Sequence, residues 1–262
     1  MPQEVLDLPT RVLVTGAAGG IGAALVRRLV LAGVAVIGSD LGERPGSAGR
    51  LATDGHVAQQ WVRADLSLRA GRAALVEAIT AAGGAPIGGF IHVAGILDPA
   101  DWDNIDEAQV EHLFAVNVHA PFFLARALLP VFAPEASVVL MGSIAALRAS
   151  PRTPFYAASK AALRNLGASL ALALQPHGVR VNVVAPGLID TPLTDRLNRR
   201  LAGERGLTVA QIEAERAQPI PAGRAGTVDE VVSACLFLLS RQASYCTGTT
   251  VHVTGGAMAG VI

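Results

Sequence analysis

The chain has 262 residues, 51% of them hydrophobic, and its 21 basic and 21 acidic side chains cancel. That length supports one large core, and the even charge balance argues against nucleic acid or an anionic membrane surface as a partner. Its two cysteines, Cys235 and Cys246, have no ligand-like histidine spacing around them, so neither a metal site nor a disulfide framework is expected.

Taken in chain order, short apolar runs at 11–15, 34–39, 60–64, 89–93, 137–141, 180–184 and 249–253 read as strands. Ala/Leu-rich stretches at 21–32, 68–82, 107–129, 156–175 and 228–240 read as helices between them. Apolar runs of this kind suit a parallel sheet covered on both faces, and their alternation with helices marks βα units. Crossovers between parallel strands are right-handed, so the order predicts an α/β doubly wound parallel sheet of about seven strands. Helices lie on both faces, and one domain over 1–262 accounts for the whole pattern. The amino-terminal nine residues carry no basic-then-apolar leader, and no uninterrupted apolar run reaches membrane-span length. The expected setting is the reducing cytoplasm, with no membrane partner.

One stretch breaks the rhythm. Residues 191–222 are polar, rich in Arg and Glu, and end in Gln-Pro-Ile-Pro-Ala. They follow the sixth strand's carboxyl end, where ligands bind in such sheets, so a substrate lid is expected. A solvated helical excursion is the other reading.

The first strand runs into Thr15-Gly16-Ala17-Ala18-Gly19-Gly20-Ile21-Gly22, and a helix follows. Glycines here permit a tight turn and close backbone approach to a pyrophosphate seated on the helix's amino end. The spacing departs from the common Gly-x-Gly-x-x-Gly, and alone it also fits a plain turn. Asp40 ends the second strand 18 residues after Gly22, where a carboxylate can accept both ribose hydroxyls. The same carboxylate repels a 2′-phosphate, and no basic residue occupies Ala17, Ala18 or Leu41, so NAD is expected over NADP. Asp65-Leu66 closes the third strand, placed for the adenine amino group, and Ala94-Gly95 is a small-residue gap after the fourth.

Lys160 is the only lysine, against twenty arginines, and stands four residues after Tyr156. Lysine is a compact ammonium that can exchange protons, which arginine does not. At about 4 Å and an effective dielectric of about 20, its attraction for a phenolate is about 4 kcal/mol. On that ground a tyrosine pKa depressed by roughly three units is expected. A solvated i,i+4 pair has the same spacing.

Together, Thr15-Gly-x-x-x-Gly-Ile-Gly, Asp65-Leu66, Ala94-Gly95, Asn117, Ser143, Tyr156-x-x-x-Lys160 and Pro186-Gly187 resemble the short-chain dehydrogenase/reductase family. The likeness runs on through Arg224-Ala-Gly-Thr-Val-Asp-Glu-Val to Gly255-Gly256. The resemblance implies a Rossmann fold, with Tyr156 as general acid/base and Lys160 lowering its pKa while holding the nicotinamide ribose. Ser143 is then the hydrogen-bond partner of the reacting oxygen, and Asn117 keeps a water near Lys160. Thr191 and Ile189 meet the nicotinamide carboxamide, and Gly16, Gly20, Ile21 and Gly22 carry the phosphates. A homotetramer built through the helices at 156–175 and 228–240 is also implied. Two departures stand out. His92-Val93 replaces the family's amide pair before Ala94-Gly95, and Val253-Thr254 replaces Val-Asp before Gly255-Gly256. His92 reads as a core histidine or as a ribose contact.

The expected activity is NAD-dependent interconversion of a secondary alcohol and a ketone, on a small cyclic or hydroxylated alcohol. Reduction of a 3-oxoacyl thioester on an acyl-carrier protein is an alternative, as is a non-catalytic NAD-sensing or interaction protein. Enoyl reduction is a further rival, disfavoured by the three residues between Tyr156 and Lys160. Ile96, Leu97, Leu147, Phe155 and Leu193 are expected in an apolar pocket, with Arg148 and Arg152 facing solvent or an anionic substrate.

Overall fold

The computed structural model describes residues 6–42, 60–97 and 102–259; part of the amino-terminal stretch read above lies outside them. Seven strands form one parallel sheet in the order β3-β2-β1-β4-β5-β6-β7. They are β1 (Arg11–Thr15), β2 (Ala35–Asp40), β3 (Gln60–Arg63), β4 (Ile87–His92), β5 (Phe132–Met141), β6 (Arg180–Pro186) and β7 (Thr250–Val253). The strand order reverses between β1 and β4, which opens a crevice at the carboxyl ends of those two strands.

Strand alternation divides the core in two. Val12, Val14, Val36, Ile91, Val139 and Val184 point to one face, against α1 (Gly20–Leu31) and α8 (Val228–Leu239). Leu13, Ile37, Phe90, Val138, Leu140, Val181 and Val183 point to the other. There they meet α2 (Arg69–Ala81), α4 (Ala120–Leu128) and α5 (Pro154–Leu174). Neighbouring side chains in one strand therefore serve opposite layers, which is why these strands are apolar throughout.

The helix expected over 107–129 is interrupted. It comprises α3 (Glu107–Phe114), a π turn at Ala115–His119, and then α4. Pro121 supplies the cause: it has no N–H to donate to the Asn117 carbonyl four residues back, and its ring crowds that carbonyl. The helical run Glu107–Val131 is long and apolar enough to cross a membrane by composition. Its buried stripe, including Leu113, Ala120, Leu124 and Leu128, instead packs in the sheet protein's core.

The polar stretch after β6 folds as two helices, α6 (Pro192–Arg205) and α7 (Val209–Ala217). They close on a small cluster of Leu201, Ala202 and Ile212. Arg205 pairs with Glu215 across the hairpin at 2.7 Å, and Thr208 with Gln211 forms a capping box for α7.

Candidate active site

The glycine turn between β1 and α1 is compact for steric reasons. A Cβ at Gly16 would stand 2.6 Å from the Ala94 nitrogen, and one at Gly22 only 1.9 Å from the Gly16 carbonyl. Gly16 and Gly20 also hold φ of +69° and +51°, which favours glycine. The turn thus fits against the segment after β4 only because these side chains are missing. At Gly19 and Gly20, by contrast, a Cβ would meet nothing within 4 Å. That open cradle lies over the first turn of α1, whose amino end has neither a side-chain cap nor an acidic residue. Its free N–H groups and positive dipole end suit a diphosphate.

A cavity of about 450 Å³ extends from this cradle along the carboxyl ends of the strands. Gly16, Gly20, Ile21, Asp40, Ala94, Gly95, Ser143, Tyr156, Lys160, Pro186, Gly187, Ile189 and Thr191 all line it. Gly22, Asp65, Leu66 and Asn117 do not. Leu66 is buried in the core, and Asp65 Oδ1 is taken up by the Ser67 N–H at 2.9 Å and hydroxyl at 2.6 Å. Of the apolar set, Ile96, Leu97 and Leu193 line the cavity, whereas Leu147 and Phe155 do not. Arg148 instead donates to the Ala257 carbonyl. A larger cavity, about 940 Å³, sits at the opposite strand ends, where Arg241 pairs with Asp7 and Glu135. It contains none of the predicted site residues.

Asp40 closes β2 with its carboxylate against the glycine turn: Oδ2 accepts the Ala18 N–H at 3.0 Å, and Oδ1 takes a longer 3.4 Å bond from the Gly42 N–H. Arg63, which the sequence reading passed over, stands in register beside Asp40 and donates from Nε to the Leu41 carbonyl.

Ser143 follows β5, and its hydroxyl accepts the Ala145 N–H at 3.1 Å. It also hydrogen-bonds Tyr156 near the start of α5. Lys160, one turn on, is buried and donates to the Met141 carbonyl at 2.8 Å, with Nζ 5.7 Å from the centre of the Tyr156 ring. Gly95 makes room for it: a Cβ there would lie 3.3 Å from Nζ and 3.2 Å from Asn117 Oδ1.

The electrostatics correct one expectation. Burial pushes the Tyr156 phenol above its ordinary value, opposed by the Ser143 hydrogen bond. Burial likewise lowers Lys160 to about 8. Both charged forms lose water at once, and desolvation outweighs the attraction that the four-residue spacing suggested. The phenol is therefore protonated at neutral pH.

Asn117 does not line the cavity but braces two residues that do, Gly95 and Ile96. Its amide bonds both polar groups of Ile96 and donates to Ser159 Oγ at 3.0 Å. Ser159 in turn donates to the Tyr156 carbonyl at 2.8 Å. Ser159 escaped the sequence reading, although a hydroxyl three residues after Tyr156 on a helix is a usable signal. His92 is a core histidine. It is 1% exposed, with Nδ1 2.9 Å from the Thr15 hydroxyl and the ring also facing the Val116 backbone. Burial first, then the Lys160 charge, push it down to about 3, against the Val116 backbone.

Residues 16–258 match a family model described as enoyl-(acyl carrier protein) reductase. The chain is 32% identical over 248 residues to galactitol 2-dehydrogenase of Agrobacterium fabrum, covering 93% of this chain and 95% of that one. It is also 32% identical over 253 residues to cis-4-hydroxycyclohexanecarboxylate dehydrogenase of Sinomonas cyclohexanicum, covering 93% and 94%. Among solved structures, a short chain dehydrogenase family protein from Francisella tularensis superposes with a TM-score of 0.87 at 27% identity, covering 95% of this chain and 99% of that one. The chain belongs to the short-chain dehydrogenase/reductase family. It is an oxidoreductase of that family, with dehydrogenases of hydroxyl compounds among its relatives.

Proposed function

We propose that the protein is an NAD-dependent dehydrogenase that interconverts a secondary alcohol and a ketone, with Tyr156 as the general acid/base. The observation that carries this is the joint presence of Ser143, Tyr156 and Lys160 in one cavity that also contains the glycine cradle and Asp40. The residues fit a dinucleotide: the amino end of α1 would seat the diphosphate, and Asp40 the adenosine ribose. Lys160 would hold the nicotinamide ribose, and Ile189 and Thr191 the carboxamide. Asp65 and Leu66 are left as adenine neighbours from beyond the cavity lining. Bound there, NAD supplies hydride acceptance and NADH hydride donation.

The chain's own part is proton handling. A protonated Tyr156 is the form that gives its proton to a ketone oxygen as negative charge builds there, and Ser143 hydrogen-bonds the same oxygen. Alcohol oxidation needs the phenolate, so that direction accelerates as pH rises towards the raised tyrosine pKa. Lys160, close enough to sense the phenolate, favours that form when its ammonium is charged. Asn117 holds the loop at Ile96 and the π turn in place, where a water can relay the proton towards Lys160.

A small cyclic or hydroxylated alcohol is the substrate favoured by the names of the two relatives above. The family model's description favours an enoyl thioester instead, and a 3-oxoacyl thioester is the carbonyl alternative to it. We favour carbonyl chemistry because Ser143 and Tyr156 form a paired hydroxyl site for one oxygen. In the cell we place the protein in the cytoplasm as one catalytic domain, with 191–222 as its lid. We read it as a homotetramer, since Leu172 on α5 and Phe237 on α8 remain 81% and 40% exposed in the single chain.

A panel of cyclic ketones, sugars and 3-oxoacyl thioesters, each mixed with protein and NADH, tests the assignment by loss of nicotinamide absorbance. Oxidation of NADH by a ketone is expected. NADH that binds and is never oxidised by any of them would favour a sensing protein.

A further inference from the structure

We infer that Arg196 recognises an anionic group, a carboxylate or its equivalent, on the substrate; this deepens the dehydrogenase reading and rests on it. The cavity is lined by two cations and one acid, namely Lys160, Arg196 and Asp40. Two of the three are already engaged. Lys160 donates to the Met141 carbonyl, and Asp40 accepts the Ala18 N–H. Among the described residues, no hydrogen bond or ion pair holds the Arg196 guanidinium.

Its helix makes the distinction sharper. Of the four arginines on α6, Arg200 pairs with Glu204 and Arg205 with Glu215, while Arg199 does not line the cavity. Arg196 does, one turn inside the helix that Thr191 caps through its bond from the Thr194 N–H at 3.2 Å. The capping bond fixes the start of α6 and so the direction in which this side chain reaches.

Position in the sheet separates Arg196 from the cofactor's negative charge. The diphosphate cradle belongs to the β1–α1 turn and the ribose carboxylate to β2, whereas α6 follows β6, with β4 and β5 lying between β1 and β6. The free N–H groups of α1 would serve the diphosphate. Arg196 is itself exposed at the mouth, and the cavity it lines has apolar walls from Ile96, Leu97, Met141 and Leu193 beside the hydroxyls of Ser143, Tyr156, Thr191 and Thr194. An unpaired guanidinium at the edge of an apolar pocket fits an amphiphilic ligand: an apolar ring or chain carrying the carbinol, and a carboxylate that the planar fork can take bidentately.

Calorimetric binding of cyclohexanecarboxylate and cyclohexanecarboxamide, with and without saturating NAD⁺, tests this without turnover. The wild-type protein should bind the acid at least about tenfold tighter than the amide. Arg196→Gln should erase that preference while leaving amide and NAD⁺ affinities unchanged, and Arg196→Lys should keep part of it. Equal wild-type affinities, or no binding of the acid, would overturn the inference. So would an Arg196→Gln variant that weakens NAD⁺, which would put the side chain on the cofactor's phosphates. Turnover of 4-oxocyclohexanecarboxamide judges the dehydrogenase reading separately: NADH oxidation with the amide but no preference for the acid leaves the enzyme standing and removes the anion site.

Discussion

Asn117 grips both polar groups of the Ile96 backbone: Oδ1 accepts the N–H at 2.9 Å and Nδ2 donates to the carbonyl at 3.0 Å. One side chain thereby ties the loop after β4 to the π turn, and through Ser159 to α5. Three elements that carry site residues share this clamp.

Removing it should cost both stability and turnover. Asn117→Ala leaves the part-buried Ile96 N–H and carbonyl and the buried Ser159 hydroxyl short of a partner, a loss of about 2 kcal/mol. Denaturant unfolding should show that drop, and NADH-dependent ketone reduction should fall with KM less affected than kcat. A variant with wild-type stability would show that the clamp is not needed to hold the loop.

Asp40 should set the choice of cofactor. In Asp40→Ala, the carboxylate that repels a 2′-phosphate is gone, while Arg63 remains in register beside it. Affinity for NAD⁺ should fall about tenfold and that for NADP⁺ should rise, as read by fluorescence titration of both cofactors. An unchanged ratio would remove Asp40 from the ribose.

His92 should make the fold sensitive to acid. Its pKa lies near 3 in the folded chain against an ordinary value of 6.5, so the unfolded chain binds a proton that the folded one refuses. Its contribution is present above pH 6.5 and is lost as pH falls from 6.5 towards 3, at up to about 1.4 kcal/mol per pH unit. Replacing it by Asn should flatten the pH dependence of stability over that window relative to wild type. Parallel curves for the two proteins would mean that His92 titrates normally.

Much of this was legible in the chain. Apolar runs located all seven strands, and small residues at Gly16 and Ala94 marked where the glycine turn and the segment after β4 pack backbone to backbone. Periodicity could not reveal the break at Ala115–His119, because the apolar pattern continues across it; the signal was Pro121, which denies the Asn117 carbonyl its donor. The helices α6 and α7 were legible only as a helical excursion without bounds, because their polar faces outweigh a cluster as small as Leu201, Ala202 and Ile212. The Thr208–Gln211 capping box did announce the start of α7. The sign of the Tyr156 shift was hidden for another reason. Spacing gives the partner of a charge, while desolvation depends on everything packed around it.

Tyr156 is the proposed proton donor, and Tyr156→Phe tests that most directly when NADH binding and single-turnover ketone reduction are measured together. The prediction is unchanged NADH affinity with hydride transfer slowed at least about a hundredfold. A variant that binds NADH and reduces the ketone at close to the wild-type rate would contradict it.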